Sequence, residues 1–232
     1  MTSSRVARSL LFGVALAALL VSVPGGCIYG TSRPALDKVS PTLLRAAQSP
    51  SIEVLDTLEA LIASGRATTA DREWTYFELS HRPTPKTAPD AYARAAAAGR
   101  IAQLRGLNAG ALVKEVEHYG RLSNQLDPSF RNGVARRMLA TLYVMAPANM
   151  VRNGDSELGL EMLEELIEQH PEDIENHLRL GEAFVMLGDY DGAVPPLCAA
   201  KRRITELRHD EQQLLEQLMQ EAGAEPCPPP ER

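Results

Sequence analysis

Five histidines and three cysteines are the side chains of this chain best suited to metal or covalent chemistry, and their spacing decides how much of it is available. His81, His118, His170, His177 and His209 fall in no spacing typical of a zinc hydrolase, and no HExxH sequence is present. His170 and His177 stand close to Glu168, Glu172 and Glu175, the nearest thing to a ligand set. A helix boundary accounts for that cluster: His170 precedes Pro171 at a turn, and Glu172 and Asp173 suit the positively polarised first turn of the next helix. No metal ligand and no cofactor is assigned. The sequence contains no serine elbow, glycine-rich phosphate loop or Walker signature. The acidic stripe Glu161, Glu164, Glu165 and Glu168 reads as the wet side of an amphipathic helix that turns Leu160, Leu163 and Ile167 inward. Without a converging set of catalytic groups, the expectation is a binding protein and not an enzyme.

The cysteines carry a different chemistry. Arg5 and Arg8 precede an apolar run from Leu10 to Val23 that ends in Pro24-Gly25-Gly26-Cys27. Such a run is short for a bilayer core of roughly 30 Å, and small residues before a cysteine form a site for cleavage and lipidation. The segment resembles a bacterial lipoprotein signal, with Gly26 before the acceptor Cys27 and Pro24 where that motif has an aliphatic residue. The resemblance implies lipid attachment at Cys27 and membrane contact through that lipid on the periplasmic side. Ile28, in place of Asp after the cysteine, points to the outer membrane. An ordinary cleaved signal or an uncleaved anchor is the alternative. Loss of residues 1–26 removes two arginines and no acids, taking the formal charge from −6 to −8. So acidic a surface repels phosphate backbones, which argues against a nucleic-acid partner. With Cys27 lipidated, Cys198 and Cys227 become a candidate disulfide in an oxidising compartment. The alternative is a small buried side chain at Cys198 and a free thiol at Cys227, and the sequence leaves both open.

The elements that must position these residues read as helices. Ile52, Leu55, Leu58, Leu61 and Ile62 have helical spacing and stop at Gly65, with Ser51 as a cap. Thr69 or Asp71 caps a second helix carrying Trp74, Phe77 and Leu79 before Pro83, Pro85 and Pro89 interrupt the chain. Asp90 to Leu104 is alanine-rich, and Leu112 to Leu126 places Val113, Val116, Tyr119 and Leu122 at three- and four-residue steps. No sustained alternation of branched residues supports a sheet.

Toward the C-terminus a pattern recurs at 34 residues: Gly154, Asp155, Gly159, Leu163 and Leu166 return as Gly188, Asp189, Ala193, Leu197 and Ala200. A helical hairpin of that length cannot bury its apolar side alone, so such units stack and expose a concave groove. The order Leu180-Gly181, Phe184, Leu187-Gly188-Asp189-Tyr190, Ala193, Leu197 and Ala200 resembles the tetratricopeptide repeat. On that likeness Gly181 and Ala193 form the close helix crossing, and His177 packs its ring near the start of the first helix. Pro195-Pro196 should delay or kink the second helix. Leu139, Ala140 and Tyr143 match Leu180, Gly181 and Phe184 at an offset of 41, which inserts about seven residues around Ala146 to Asn153. That insert is apolar, with Met145, Ala146, Pro147, Met150 and Val151. It reads as a loop folded back on the core, with a partner-contact or cleft-lining element as the other reading.

The run Leu126-Asp127-Pro128-Ser129-Phe130, then Leu139 to Tyr143 with Ala146-Pro147, then Gly154-Asp155 and Asn176-His177-Leu178, is similar to the T component of tripartite ATP-independent periplasmic (TRAP) transporters. The likeness is clearest from Leu126 to Ala200. It implies a lipid-anchored scaffold of tetratricopeptide-like hairpins that associates with a periplasmic solute-binding protein, and it allows a homo-oligomer with an apolar cleft or pore. Ala88 to Leu126 is shorter than in that family and holds only Tyr92 and Tyr119 as aromatics, so a deep aromatic pocket is not implied. A general cell-envelope scaffold is the rival reading. The expected layout is a signal at 1–26, a tether at 27–48, an all-α domain of stacked antiparallel hairpins at 49–222 and a proline-rich tail at 223–232.

Overall fold

The structure, a computed structural model, describes residues 34–227, and all regular structure among them is helical. Ten α-helices follow one another: α1 (Pro41–Ala46), α2 (Ser51–Ala63), α3 (Thr69–Ser80), α4 (Ala88–Arg105), α5 (Gly110–Leu126), α6 (Val134–Met145), α7 (Ser156–Gln169), α8 (Ile174–Leu187), α9 (Tyr190–Arg202) and α10 (His209–Ala222). Among the described residues no helix is long and apolar enough to cross a membrane. Signal, lipid-acceptor Cys27 and the first part of the expected tether lie outside the described residues.

Short polar side chains set most of the starts. Thr68 Oγ1 accepts the Asp71 N–H (3.1 Å) while Asp71 accepts the Thr68 N–H (2.8 Å), a reciprocal cap at α3. Asp155 and Asp189 cap α7 and α9 in the same way, each accepting an N–H three residues on, from Leu158 and Gly192, at 2.9 Å. The sequence placed the α2 cap at Ser51, but Ser51 is the first helical residue and Pro50 holds the cap position. Likewise Thr68, not Thr69, caps α3, with Asp71 at its third position.

Consecutive helices form hairpins in α4–α5, α6–α7 and α8–α9. Their directions are opposed, since contacts pair early residues of one with late residues of the other: Ala88 with Ser123 and Arg94 with Glu115, or Arg136 with Glu165. Hairpins then touch through their first helices, α2 on α4, α6 on α8 and α8 on α10. The starts of α6 and α8 meet, because Arg137 bonds Asp173 (3.0 Å) and Asn176 (2.8 Å), so these helices run in the same direction.

Composition explains the packing around α4. α4 is wrapped by α2, α3 and α5, and its Ala91, Ala93, Ala95, Ala97 and Ala98 are all fully buried. Side chains this small let three neighbours approach one helix. The opposite solution fills the N-terminal core, where Trp74, Leu43, Leu55 and Leu58 are the large buried groups. At the α6–α7 crossing Gly159 is required: a Cβ there would lie 2.7 Å from the Ala140 carbonyl oxygen.

Two boundaries differ from the sequence reading. Val39 and Leu43 belong to the core, and Ser40 donates both its N–H (2.7 Å) and its hydroxyl (3.0 Å) to Asp71. The folded body therefore begins before residue 49, and α1 occupies part of the expected tether. At the other end Ala224 is buried with α9 and α10, so the tail up to Cys227 is packed. α9 departs as well: it starts on time at Tyr190 and runs through Pro195 and Pro196. Its Asp189 cap and the burial of Pro196 offset two missing backbone donors.

Candidate functional site

The extra residues between α6 and α7 turn back onto α5, and the contact is built around one carboxylate. Val151 is buried with Ala109, Val113, Leu139 and Tyr143, while Met150 packs against the same cluster beside Gly110. Glu117 sits on the apolar side of α5 with only 2% of its surface exposed. Its oxygens accept the N–H of Arg152 (3.1 Å), the N–H of Asn153 (2.7 Å) and the Asn153 side-chain amide (3.0 Å). The core-folded reading of the insert is the observed one, and Glu117 is the pin.

Beside this pin a cavity of ≈ 360 Å³ opens between α5 and the loop. Lys114, His118, Arg121, Leu122 and Gln125 line one wall and Arg152 and Asn153 the other. Steps of three and four residues put the α5 members on one stripe. Arg121 and Glu117 both neighbour the hydroxyl of the buried Tyr143. Burial, then the Glu117 charge, push the Tyr143 phenol up, while Arg121 pulls it down.

The first helices of the hairpins meet over a second charged region. Glu59 of α2 pairs with Arg100 of α4 and, at 2.9 Å, with Arg208 at the start of α10. Arg208 and Arg179 both reach Glu211 at 3.1 Å. Burial first, then the Glu175 charge, push the Glu211 carboxyl up despite the two arginines. Tyr92 lies among Glu59, Arg137, Glu175 and Arg100, and its phenol is pushed up to about 12 by burial and the Glu59 charge. The open groove expected from stacked hairpins is thus bridged here by ion pairs, with α10 reaching α2.

No family model matches the chain, and no curated protein matches it.

The residues singled out in the sequence fall as follows. Leu163, Leu166, Leu197 and Ala200 are buried at corresponding places in α7 and α9, as are Gly159 and Ala193. Leu180 and Gly181 are buried in α8 and Phe184 is half-buried. Gly181 accommodates Leu197 directly, so the close partner of that glycine is not Ala193. His177 does not bury its ring; its Nε2 lies 3.0 Å from the Pro171 carbonyl, and the fully buried polar group of that turn is Asn176. Asn176 accepts from Arg137 and donates to the Leu166 carbonyl at 3.3 Å. Cys198 and Cys227 form a disulfide across 29 positions. Among the described residues no three His, Cys, Asp or Glu side chains gather as a metal site.

Missed in the sequence were Glu117 and the cations around it. Both had signals: a glutamate on the same helical side as Val113 and Gly120, and Lys114, His118 and Arg121 at helical steps.

Eight large apolar side chains are exposed among the described residues. Leu104, Met145, Leu158, Met186, Leu187 and Tyr190 stand at or beside the turns joining the two helices of a hairpin, whereas Leu36 precedes α1 and Leu126 ends α5.

Proposed function

We propose that this chain is a lipid-anchored, periplasm-facing scaffold of tetratricopeptide-like hairpins that binds a protein partner and catalyses no reaction. The observation that carries the reading is the register of the two 34-residue copies. Asp155 and Asp189 cap, Gly159 and Ala193 sit at small-residue positions, and Leu163 and Leu197 fill the core, each pair at the same place in its helix. Proteins built this way bury a continuous core between units and offer the rest of the surface to partners. The apolar turn residues supply the contact: Met186 is 54% exposed, and Leu187 and Tyr190 adjoin it. A row of such side chains at one end of successive hairpins fits a protein partner better than a solvated edge.

The likeness to TRAP T components makes a periplasmic solute-binding protein the partner we favour, and Cys27 the lipid anchor. A general envelope scaffold is the competing role. The deciding experiment is gentle cross-linking in the native envelope, affinity capture and mass spectrometry, run beside a Met186→Glu, Leu187→Glu variant. Recovery of a solute-binding protein that the variant loses supports the transport reading. Recovery of envelope-assembly proteins alone overturns it, and capture unchanged by the variant removes the apolar turns from the interface. Cys27→Ser is expected to shift the chain from the membrane fraction to the soluble one.

A further inference from the structure

We propose that the cavity between α5 and the 146–153 loop is a binding site for a small polyanion, a molecule carrying two or more phosphate or carboxylate groups. The proposal goes beyond the scaffold reading and stands without it. Lys114 and Arg121 project from one wall and Arg152 from the other, giving a concavity lined by three permanent cations. Among the described residues none of the three has a carboxylate within ion-pair distance. Elsewhere in this acidic chain Arg100, Arg137, Arg179 and Arg208 each take a carboxylate partner.

The one acid of the cavity, Glu117, does not neutralise them. Its oxygens face the loop amides of Arg152 and Asn153, so its charge holds the wall in place. Even counting that charge, the lining keeps an excess of positive charge inside a molecule of formal charge −6. Low-dielectric walls around charges of one sign focus the field and concentrate counter-ions of the opposite sign.

Shape narrows the ligand. A cavity of ≈ 360 Å³ is larger than one phosphate or carboxylate group needs, and it runs along the stripe from Lys114 to Gln125. At 1.5 Å per residue that stripe is about 16 Å long. Separate anionic groups on one small molecule can then meet Lys114 at one place and Arg121 or Arg152 at another. The guanidinium forks suit planar or tetrahedral oxyanions, and His118 and the Gln125 and Asn153 amides add neutral donors. Leu122 offers an apolar patch for a carbon backbone.

Calorimetric titration of the full chain at low ionic strength, with inorganic pyrophosphate and with citrate as probes, tests the proposal. Saturable binding of one or both is expected, weakening as salt is raised. The pyrophosphate and citrate arms separate phosphate from carboxylate preference. Arg121→Gln with Arg152→Gln should weaken binding by about tenfold or more, in line with the loss of charge-assisted hydrogen bonds. Lys114→Gln, at an exposed position, should weaken it with the urea midpoint unchanged. The exposed Lys86→Gln, remote in sequence from the cavity lining, serves as a charge-matched control. Absence of binding at millimolar probe, or equal weakening by Lys86→Gln and Lys114→Gln, overturns the proposal.

Discussion

Asp71 ties a helix start to the chain that precedes it. It lies fully buried at the third position of α3 and accepts four hydrogen bonds: from the N–H and hydroxyl of Ser40 and from the N–H and hydroxyl of Thr68. Burial alone would raise its pKa, but the bonds from Ser40 and Thr68 together outweigh it and hold the carboxyl below its ordinary value. A carboxyl whose folded pKa is depressed stabilises the fold above its unfolded pKa, and that contribution is lost as pH falls through the folded one. Urea midpoints should therefore drop below about pH 4, and Asp71→Asn should flatten that part of the profile. At neutral pH the asparagine keeps one acceptor oxygen and turns an NH2 toward the other donors, so one of the two backbone N–H groups, that of Ser40 or that of Thr68, is left unmatched at a cost of about 1–3 kcal/mol. An unchanged acid slope in the variant would sink this account.

At the scale of elements, the clearest prediction concerns the 146–153 loop. Glu117→Ala removes the acceptor for three N–H donors and should cost about 2–3 kcal/mol in chemical denaturation. The same change should open the loop to proteolysis near Arg152 while α6 and α7 stay protected. Cleavage rates equal to those of the parent chain would show that Val151 and Met150 hold the loop without the carboxylate.

Why some elements were readable in the sequence and others not follows from what each depends on. α2 through α5, α7 and α8 carry helical spacing, and α3, α4, α7 and α8 add a side-chain cap, all of them properties of neighbouring residues. α1 is six residues long, and only Leu43, buried against residues far along the chain, reveals that it belongs to the core. α9 looked broken because Pro195 and Pro196 are penalised locally, whereas the packing of Leu197 against Gly181 of α8 is a contact between helices. The cavity escaped for a related reason. Lys114 and Arg121 share a helical side, but Arg152 joins them through a loop whose path depends on one buried glutamate.

For the molecule as a whole, the covalent tie lies at the C-terminal end of the described residues. The Cys198–Cys227 bond holds Ala224 and Cys227 against α9 and α10. On the chain-entropy model a loop closed across 29 positions contributes about 3–4 kcal/mol. Reduction, or Cys198→Ser with Cys227→Ser, should lower the urea midpoint accordingly, with retention of helical circular dichroism. No difference between oxidised and reduced chains would mean that packing of the tail suffices by itself.

The bridge between Glu59 and Arg208 joins residues 149 positions apart. A line of hairpins that interact only with their neighbours can form from any point and fray from either end, but this one has its last helix docked on an early one. Bringing such distant residues together costs about 4 kcal/mol of chain entropy, so that contact forms late, once the hairpins between have shortened the path. The result is a test of completeness written into the fold. A chain cut short before Arg208 leaves Glu59 with Arg100 alone and Arg179 with Glu182 alone, so each cluster loses the tie that links it to α10.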